Sequence, residues 1–132
     1  MKSNPVCIQY DQASSYSDLV MRSVTYDCDQ LVVHLQGSNF AFIRVTFHLP
    51  RGFRMLDEGD LASFWENYHT GNGWLYKVKS GGWFDLESSR DDFITQSLFP
   101  NEMTEYMVVC DKCISVISSN PPEIIELGKP PE

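Results

Sequence analysis

Hydrophobic and polar side chains alternate with a period of two along most of the chain. Between Phe40 and Leu49 every second residue is apolar, and this face consists of Ala41, Ile43, Val45, Phe47 and Leu49. Such alternation predicts a strand with one buried face. Leu31, Val33 and Leu35 repeat the pattern, and Gly37-Ser-Asn39 supplies turn residues between the two strands. With a strand over 20–26 and a tight turn at Asp27-Cys-Asp29, residues 19–49 are predicted to form a three-stranded antiparallel meander.

The same period returns further along the chain. It predicts short strands over 53–56, 74–79, 83–86, 105–110 and 113–117, and a possible edge strand over 123–127. Ser80-Gly-Gly82 and Asp111-Lys112 are expected to be turns. Residues 87–102 mix charge with apolar side chains, and we expect a loop with one helical turn there.

One segment follows a helical period instead. Leu61, Phe64, Trp65 and Tyr68 recur three and four residues apart, after acidic residues that suit a helix N-terminus. This predicts a helix over 58–68. The expected fold is mainly β, an antiparallel sandwich or strongly curled sheet of about eight strands with one short helix, and α+β is the alternative.

Composition is that of one folded domain. The 132 residues are 42% hydrophobic and 21% charged, with no long apolar run and no signal-like N-terminus. We therefore expect a single domain over 1–132 in the cytoplasm, with residues 1–5 and 119–132 extended or flexible. The four cysteines are too few for a secreted disulfide framework in a chain of this size.

The charge is distributed unevenly. The net charge is −8, and fourteen of the eighteen acidic residues lie from Asp57 onward, where there are only five basic ones. A field of one sign attracts a positively charged partner and repels nucleic acid. The expected partner is therefore a basic protein, with no nucleic acid and no membrane.

Residues that could support catalysis or bind a metal occur, but without the expected spacing. Cys110-Asp-Lys-Cys113 lies between strand-like flanks, so we interpret it as a hairpin turn with the two cysteines facing each other across it. His34, His48 and His69 show no metal-binding spacing, and no nucleophile motif or phosphate-binding loop is present. We expect no enzyme activity, no metal and no cofactor.

The candidate binding site combines acidic and aromatic residues. Aromatic anchors beside charge of one sign are typical of protein-binding surfaces. The predicted partner-binding residues are Asp57, Glu58, Asp60, Glu66, Asp85, Glu87, Asp91, Asp92, Tyr68 and Trp74.

Several segments resemble a known family. They are Gly52–Leu61 with Phe64-Trp65, Gly73–Tyr76, Ser80–Asp85, Glu105–Val109, Ser115–Ile117 and Pro121-Pro122. Across residues 20–125 they are similar to small bacterial cytosolic proteins related to the immunity proteins of toxin–immunity pairs. The resemblance implies a protein that binds and neutralises a toxin, and it supplies no catalytic residues.

The acidic charge agrees with this resemblance, since the cleft of a nuclease toxin is basic. A nuclease domain is therefore the expected partner, with its active site occluded. Two other functions stay open from the residues alone. One is a small-ligand-binding β domain whose aromatic side chains line a cavity. The other is a hydrolase that uses a pair of carboxylates.

Overall fold

A computed structural model describes residues 6–9, 19–37, 42–57, 74–98 and 102–127. These residues form nine strands and two short helices. The strands are β1 (Val6–Gln9), β2 (Val20–Tyr26), β3 (Gln30–Gln36), β4 (Phe42–His48), β5 (Gly52–Asp57), β6 (Leu75–Ser80), β7 (Thr104–Val109), β8 (Lys112–Ser118) and β9 (Glu123–Glu126). The helices are α1 (Trp83–Ser88) and α2 (Thr95–Leu98). The predicted helix over 58–68 lies outside the described residues.

The strands form two antiparallel sheets. One has the order β2-β3-β4-β9, and the other has the order β1-β6-β7-β8-β5. The predicted meander is confirmed, because β2 pairs with β3 and β3 pairs with β4. The possible edge strand near the C-terminus also forms, as β9 pairs with β4. The fold is therefore a mainly β sandwich, as the alternation predicts, and β1 is a strand that the sequence reading did not include.

The turn between β2 and β3 is made by Asp27. Its Oδ1 accepts hydrogen bonds from the backbone N–H groups of Asp29 and Gln30, each at 2.9 Å. Hydrogen bonds to the charged form hold the pKa of Asp27 below its usual value. Cys28 takes a positive φ of 77° at the tip. The predicted tight turn is confirmed, and aspartate makes it by bonding its own local backbone.

The hydrophobic core lies between the two sheets. Leu31, Val33, Leu35, Ile43, Val45 and Phe47 from the four-stranded sheet belong to one buried cluster with Leu75, Tyr106, Val108, Ile114 and Val116 from the five-stranded sheet. The rings of Phe47 and Tyr106 meet across the interface with centroids 5.9 Å apart. The alternating residues of β3 and β4 thus face inward as predicted.

Leu49 is the exception to that pattern. It was predicted to be buried, but it is 66% exposed and takes a positive φ of 50°. Its N–H donates to the carbonyl of Asp29 at 2.7 Å. The chain therefore leaves the strand at Leu49, and the alternation no longer decides which way the side chain points.

The five-stranded sheet is buried on both faces over β7 and β8. The four consecutive residues from Tyr106 to Val109 are all buried. Tyr106 and Val108 belong to the core between the sheets, whereas Met107 and Val109 form a second cluster with Tyr76 and Cys113. A sheet covered on both faces shows continuous hydrophobic runs. We call the face of the second cluster the outer face of this sheet.

One predicted strand is wrong. Residues 83–86 were expected to form a strand after a turn at 80–82, but they form the first part of α1. The segment expected to be a loop with a helical turn does contain one, α2. Among the described residues, no helix is both long enough and apolar enough to cross a membrane.

Candidate functional site

The predicted site residues fall into three groups. Asp85, Glu87, Asp91 and Asp92 all belong to residues 83–98, which we call the α1–α2 segment. Asp57 ends β5, and nothing is described of its side chain. Glu58, Asp60, Glu66 and Tyr68 lie outside the described residues.

Trp74 does not belong to a surface. It is buried in the core between the sheets, where it packs with Leu75 and Val108. Its placement in a binding surface is therefore corrected. Trp74 follows Gly71-Asn-Gly73 in a stretch of the sequence that is rich in aromatic and acidic residues, which favoured a surface position, whereas the fold turns its side chain inward.

A buried carboxylate holds the start of α1 on the outer face. Glu105 lies on β7 and is only 2% exposed. Its Oε1 accepts the N–H of Phe84 at 2.8 Å, and its Oε2 accepts the N–H of Trp83 at 3.3 Å. The first N–H groups of a helix have no partner within the helix, so Glu105 supplies acceptors from a neighbouring strand. Burial raises the pKa of Glu105, and the two backbone hydrogen bonds oppose that rise.

Sequence reasoning missed Glu105, although a signal was present. It is the one charged residue in the run Glu105-Tyr-Met-Val-Val-Cys110. A strand that is apolar on both faces is buried on both faces. A single carboxylate in such a strand therefore requires a hydrogen-bonded partner, and it could have been flagged on that ground.

Gly82 allows this close contact. A Cβ at this position would lie 2.6 Å from Cγ1 of Val78 and 2.7 Å from Oε1 of Glu105. Only glycine therefore lets the helix start approach β6 and β7 so closely. Asp85 completes the turn before the helix by accepting the N–H of Gly81 at 2.7 Å.

The solvent side of the α1–α2 segment combines acidic and aliphatic side chains. Leu86, Ile94 and Leu98 are 60%, 53% and 58% exposed. The exposed carboxylates of Asp85, Asp91 and Asp92 lie on the same sixteen-residue segment. Exposed aliphatic side chains with a charged rim are typical of protein-binding surfaces.

A cleft of about 450 Å³ separates the α1–α2 segment from β5. Its walls include Phe53, Trp83 and Phe93, and the carboxylates of Glu87 and Asp92 also line it. Trp83 donates from Nε1 to Oε1 of Glu87 at 3.2 Å. Thr95 closes one part of the cleft, where its buried hydroxyl accepts a hydrogen bond from Nε of Arg51 at 2.9 Å.

A second cleft of about 350 Å³ lies near the other side of α1 and contains both Asp85 and Glu105. Two carboxylates in one cleft are what a hydrolase would need. Here Glu105 accepts the first two backbone N–H groups of α1, and Asp85 accepts the N–H of Gly81 in the turn before it. Their position is explained by this structural role.

The two cysteines near the β7–β8 turn point to opposite faces of the sheet. The turn is confirmed, but the register pairs Cys113 with Val109, and the N–H of Cys110 donates to the carbonyl of Lys112. Cys110 belongs to the core between the sheets and Cys113 to the outer cluster. The prediction that they face each other is therefore wrong. Burial raises the pKa of Cys110 to about 12, so this thiol is protonated at neutral pH.

The histidines that can be described lie on the four-stranded sheet. Nδ1 of His34 is 3.1 Å from Oγ of Ser23, and burial, with a smaller effect of Arg44, lowers the pKa of His34. The carbonyl of His48 accepts a hydrogen bond from Asn120. Over the part of the chain that the structure describes, no three His, Cys, Asp or Glu side chains are placed to hold a metal ion.

The fold and this surface define a class of protein: a sandwich of two antiparallel sheets whose short helical segment presents acidic and aliphatic side chains to solvent. Comparison of the chain with protein-family models, curated proteins and solved structures finds no match.

Proposed function

We propose that this protein is an immunity protein, which binds a basic toxin domain through the α1–α2 segment and occludes its active site. A nuclease is the proposed class of toxin, because an enzyme that binds nucleic acid carries a basic cleft. The cytosol is the proposed place of action, since a nuclease toxin meets its substrate there.

The observation that carries this proposal is the composition of one short segment. Leu86, Ile94 and Leu98 are exposed on the same α1–α2 segment as the exposed residues Asp85, Asp91 and Asp92. Exposed aliphatic side chains supply contact area, and surrounding charge steers the encounter with a partner of opposite sign.

The position of this surface in the fold favours rigid binding. Glu105 fixes the start of α1 to β7, and Arg51 binds the start of α2 next to β5. A surface that is already ordered loses little conformational freedom on binding. The segment therefore suits an inhibitor that must bind its target tightly.

The experiment begins with the product of the reading frame immediately upstream, which is tested by co-purification with this protein. Association rates are then measured at about 0.01 M and about 1 M salt, where the Debye length is about 30 Å and about 3 Å. We expect a basic partner, faster association at low salt, and loss of the partner's activity in the complex. An acidic partner, or rates that do not depend on salt, would contradict the proposal.

A matched pair of variants locates the surface. Asp91→Asn with Asp92→Asn removes two exposed charges from the α1–α2 segment, and we expect association at low salt to slow by about tenfold. Asp29→Asn with Glu123→Gln removes the same charge from exposed positions in the β2–β3 turn and on β9, and it serves as the control. Equal effects of the two pairs would show that net charge alone matters and would place the interface elsewhere.

A further inference from the structure

The cleft between the α1–α2 segment and β5 already has a guanidinium at its rim. Nη2 of Arg90 lies 2.6 Å from Oε2 of Glu87, and Nη1 lies 3.5 Å from Oδ1 of Asp92. The same guanidinium is 5.6 Å from the centre of the Phe93 ring. All three contacted residues line the cleft. The rim therefore combines two carboxylates with an aromatic face, which is the environment that binds a guanidinium most favourably.

We propose that this cleft binds an arginine side chain of the partner protein, and that Arg90 occupies the acidic rim of the cleft in the free protein. The identity of the partner rests on the function proposed above, whereas the arginine subsite rests on the cleft alone. Arginine fits better than lysine because its planar group can bind two carboxylate oxygens and stack on a ring at the same time.

The charges around the cleft explain why the incoming arginine would replace Arg90. Two arginines, Arg51 and Arg90, lie beside the two carboxylates that line the cleft, Glu87 and Asp92. With Arg90 in place these charges balance, so a further cation gains little. Once Arg90 moves away, one carboxylate is left in excess.

Arg90 is the arginine best placed to move. Arg51 donates to the buried Thr95, and the guanidinium of Arg54 lies 5.5 Å from the centre of the Trp83 ring on the outer face of the sheet. Arg90 is 53% exposed, and its ion pairs with Glu87 and Asp92 join residues only three and two positions apart in sequence. Exposed ion pairs of this kind are weak, so a second guanidinium can compete for the same carboxylates.

Trp83 provides a direct report on the cleft. Its ring lines the cleft, and its Nε1–H donates to the same Glu87 that binds Arg90. A guanidinium bound between Glu87 and Asp92 would therefore shift the NMR resonance of this indole N–H. The spectrum of Trp83→Phe, which lacks this indole N–H, identifies the resonance of Trp83 by its absence.

The experiment titrates N-acetylarginine amide into the full chain while the Trp83 indole resonance is followed. N-acetylcitrulline amide, which has nearly the same shape without the charge, is the control ligand. Arg90→Gln is compared with Arg22→Gln, an exposed arginine on β2 whose removal changes the net charge equally. We expect the arginine probe to bind Arg90→Gln about two- to fivefold more tightly than the natural protein, the range set by the strength of exposed ion pairs. Arg22→Gln should leave the affinity unchanged.

Adding Asp92→Asn to Arg90→Gln should weaken the arginine probe again by a similar factor. Equal affinity of Arg90→Gln and Arg22→Gln, equal binding of the citrulline probe, or an indole resonance that does not respond would each overturn the subsite. Failure of the arginine-subsite proposal can be told apart from failure of the proposed function. A basic toxin that binds while the probe does not would leave only the function standing, and a probe that binds without any basic partner would leave only the subsite.

Discussion

At the scale of single residues, Glu105 is the most informative position in the molecule. It is a carboxylate in a strand that is otherwise apolar, and it is almost completely buried. Its two oxygens accept the N–H groups of Trp83 and Phe84, so the charge has partners but little water. Burial raises the pKa because removal from water costs the charged form more than the neutral form.

This raised pKa predicts a specific pH dependence of stability. Since the folded protein holds the proton of Glu105 more tightly than the unfolded chain, lowering the pH from 7 toward 5 favours the folded state at this residue. Glu105→Gln removes the effect. The free energy of unfolding of the natural protein, measured with urea, should therefore rise relative to that of Glu105→Gln as the pH falls.

Glu102→Gln is the control for Glu105, because Glu102 is exposed a few residues away. The rise relative to Glu105→Gln should persist in Glu102→Gln, because this substitution leaves Glu105 and its two hydrogen bonds in place. Parallel pH profiles for the natural protein and Glu105→Gln would show that the buried carboxylate does not carry this dependence.

At the scale of elements, α1 forms where local alternation predicts a strand. The apolar and polar residues of Trp83-Phe-Asp-Leu86 fit a short strand as well as a helix. The residue at the helix N-terminus is Gly82, which has no side chain to cap it. The acceptors come instead from Glu105, which is more than twenty positions further along the chain. A distant residue thus decides the local structure, and the close approach at Gly82 makes it possible.

Gly82→Ala tests this packing. Gly82 has a φ of −99°, which alanine adopts without strain, so the substitution would ordinarily stabilise the fold by about 0.4–1 kcal/mol. Here the added Cβ would overlap Val78 and Glu105. We expect a loss of about 1–3 kcal/mol in the free energy of unfolding, as for other overpacked sites.

Gly52→Ala is the matched control, because a Cβ there would lie 3.5 Å from the Trp83 ring, which is an ordinary contact. It should change the free energy of unfolding by less than about 1 kcal/mol. If Gly82→Ala is as stable as Gly52→Ala, then α1 does not need the close approach.

At the scale of the whole molecule, stability comes from the interface between the two sheets. Val45 and Phe47 on β4 pack in one buried cluster with Val108 and Val116 on the other sheet. The acidic α1–α2 segment is attached to the opposite face of the five-stranded sheet, next to Glu105. The core and the candidate binding surface are therefore separate, so the surface can vary without loss of the fold.

Val45→Asp would place an unpaired charge in that interface, where Val45 has no solvent exposure. We expect a loss of more than about 5 kcal/mol, which is the whole stability of a domain at the lower end of the usual range, so the circular dichroism of the sheets should be lost. Thr25→Asp adds the same charge at an exposed position on β2 and should stay folded. A folded Val45→Asp protein would refute the inward orientation of β4.

Much of the fold could be predicted because it rests on local periodicity. The strands β3 and β4 alternate in sequence, and Asp27 makes the turn before β3 with its own neighbours. In the five-stranded sheet the alternation weakens, because β7 and β8 are buried on both faces. The register of the β7–β8 turn was misjudged for that reason, since continuous apolar runs do not reveal which residue faces which side.

The candidate site could be predicted only in part. Asp85, Glu87, Asp91 and Asp92 were identified from charge alone; Glu87 and Asp92 line the cleft next to β5, whereas Asp85 lines the second cleft. Trp74 was misplaced, because an aromatic residue beside polar neighbours reads equally well as a surface anchor or as core. Arg90 was not considered, since its contacts with Glu87, Asp92 and Phe93 become visible only in three dimensions.

The sequence by itself determined the mainly β class, the meander of β2 to β4 and the acidic character of the candidate surface. These follow from side-chain periods, turn residues and charge, all of which act between residues that are close in the chain. Tertiary structure decided that residues 83–88 are helical, that Glu105 is buried as an acceptor, and that Trp74 lies in the core. Each of these depends on groups far apart in sequence, whose burial and hydrogen bonding exist only after the two sheets and α1 have packed together.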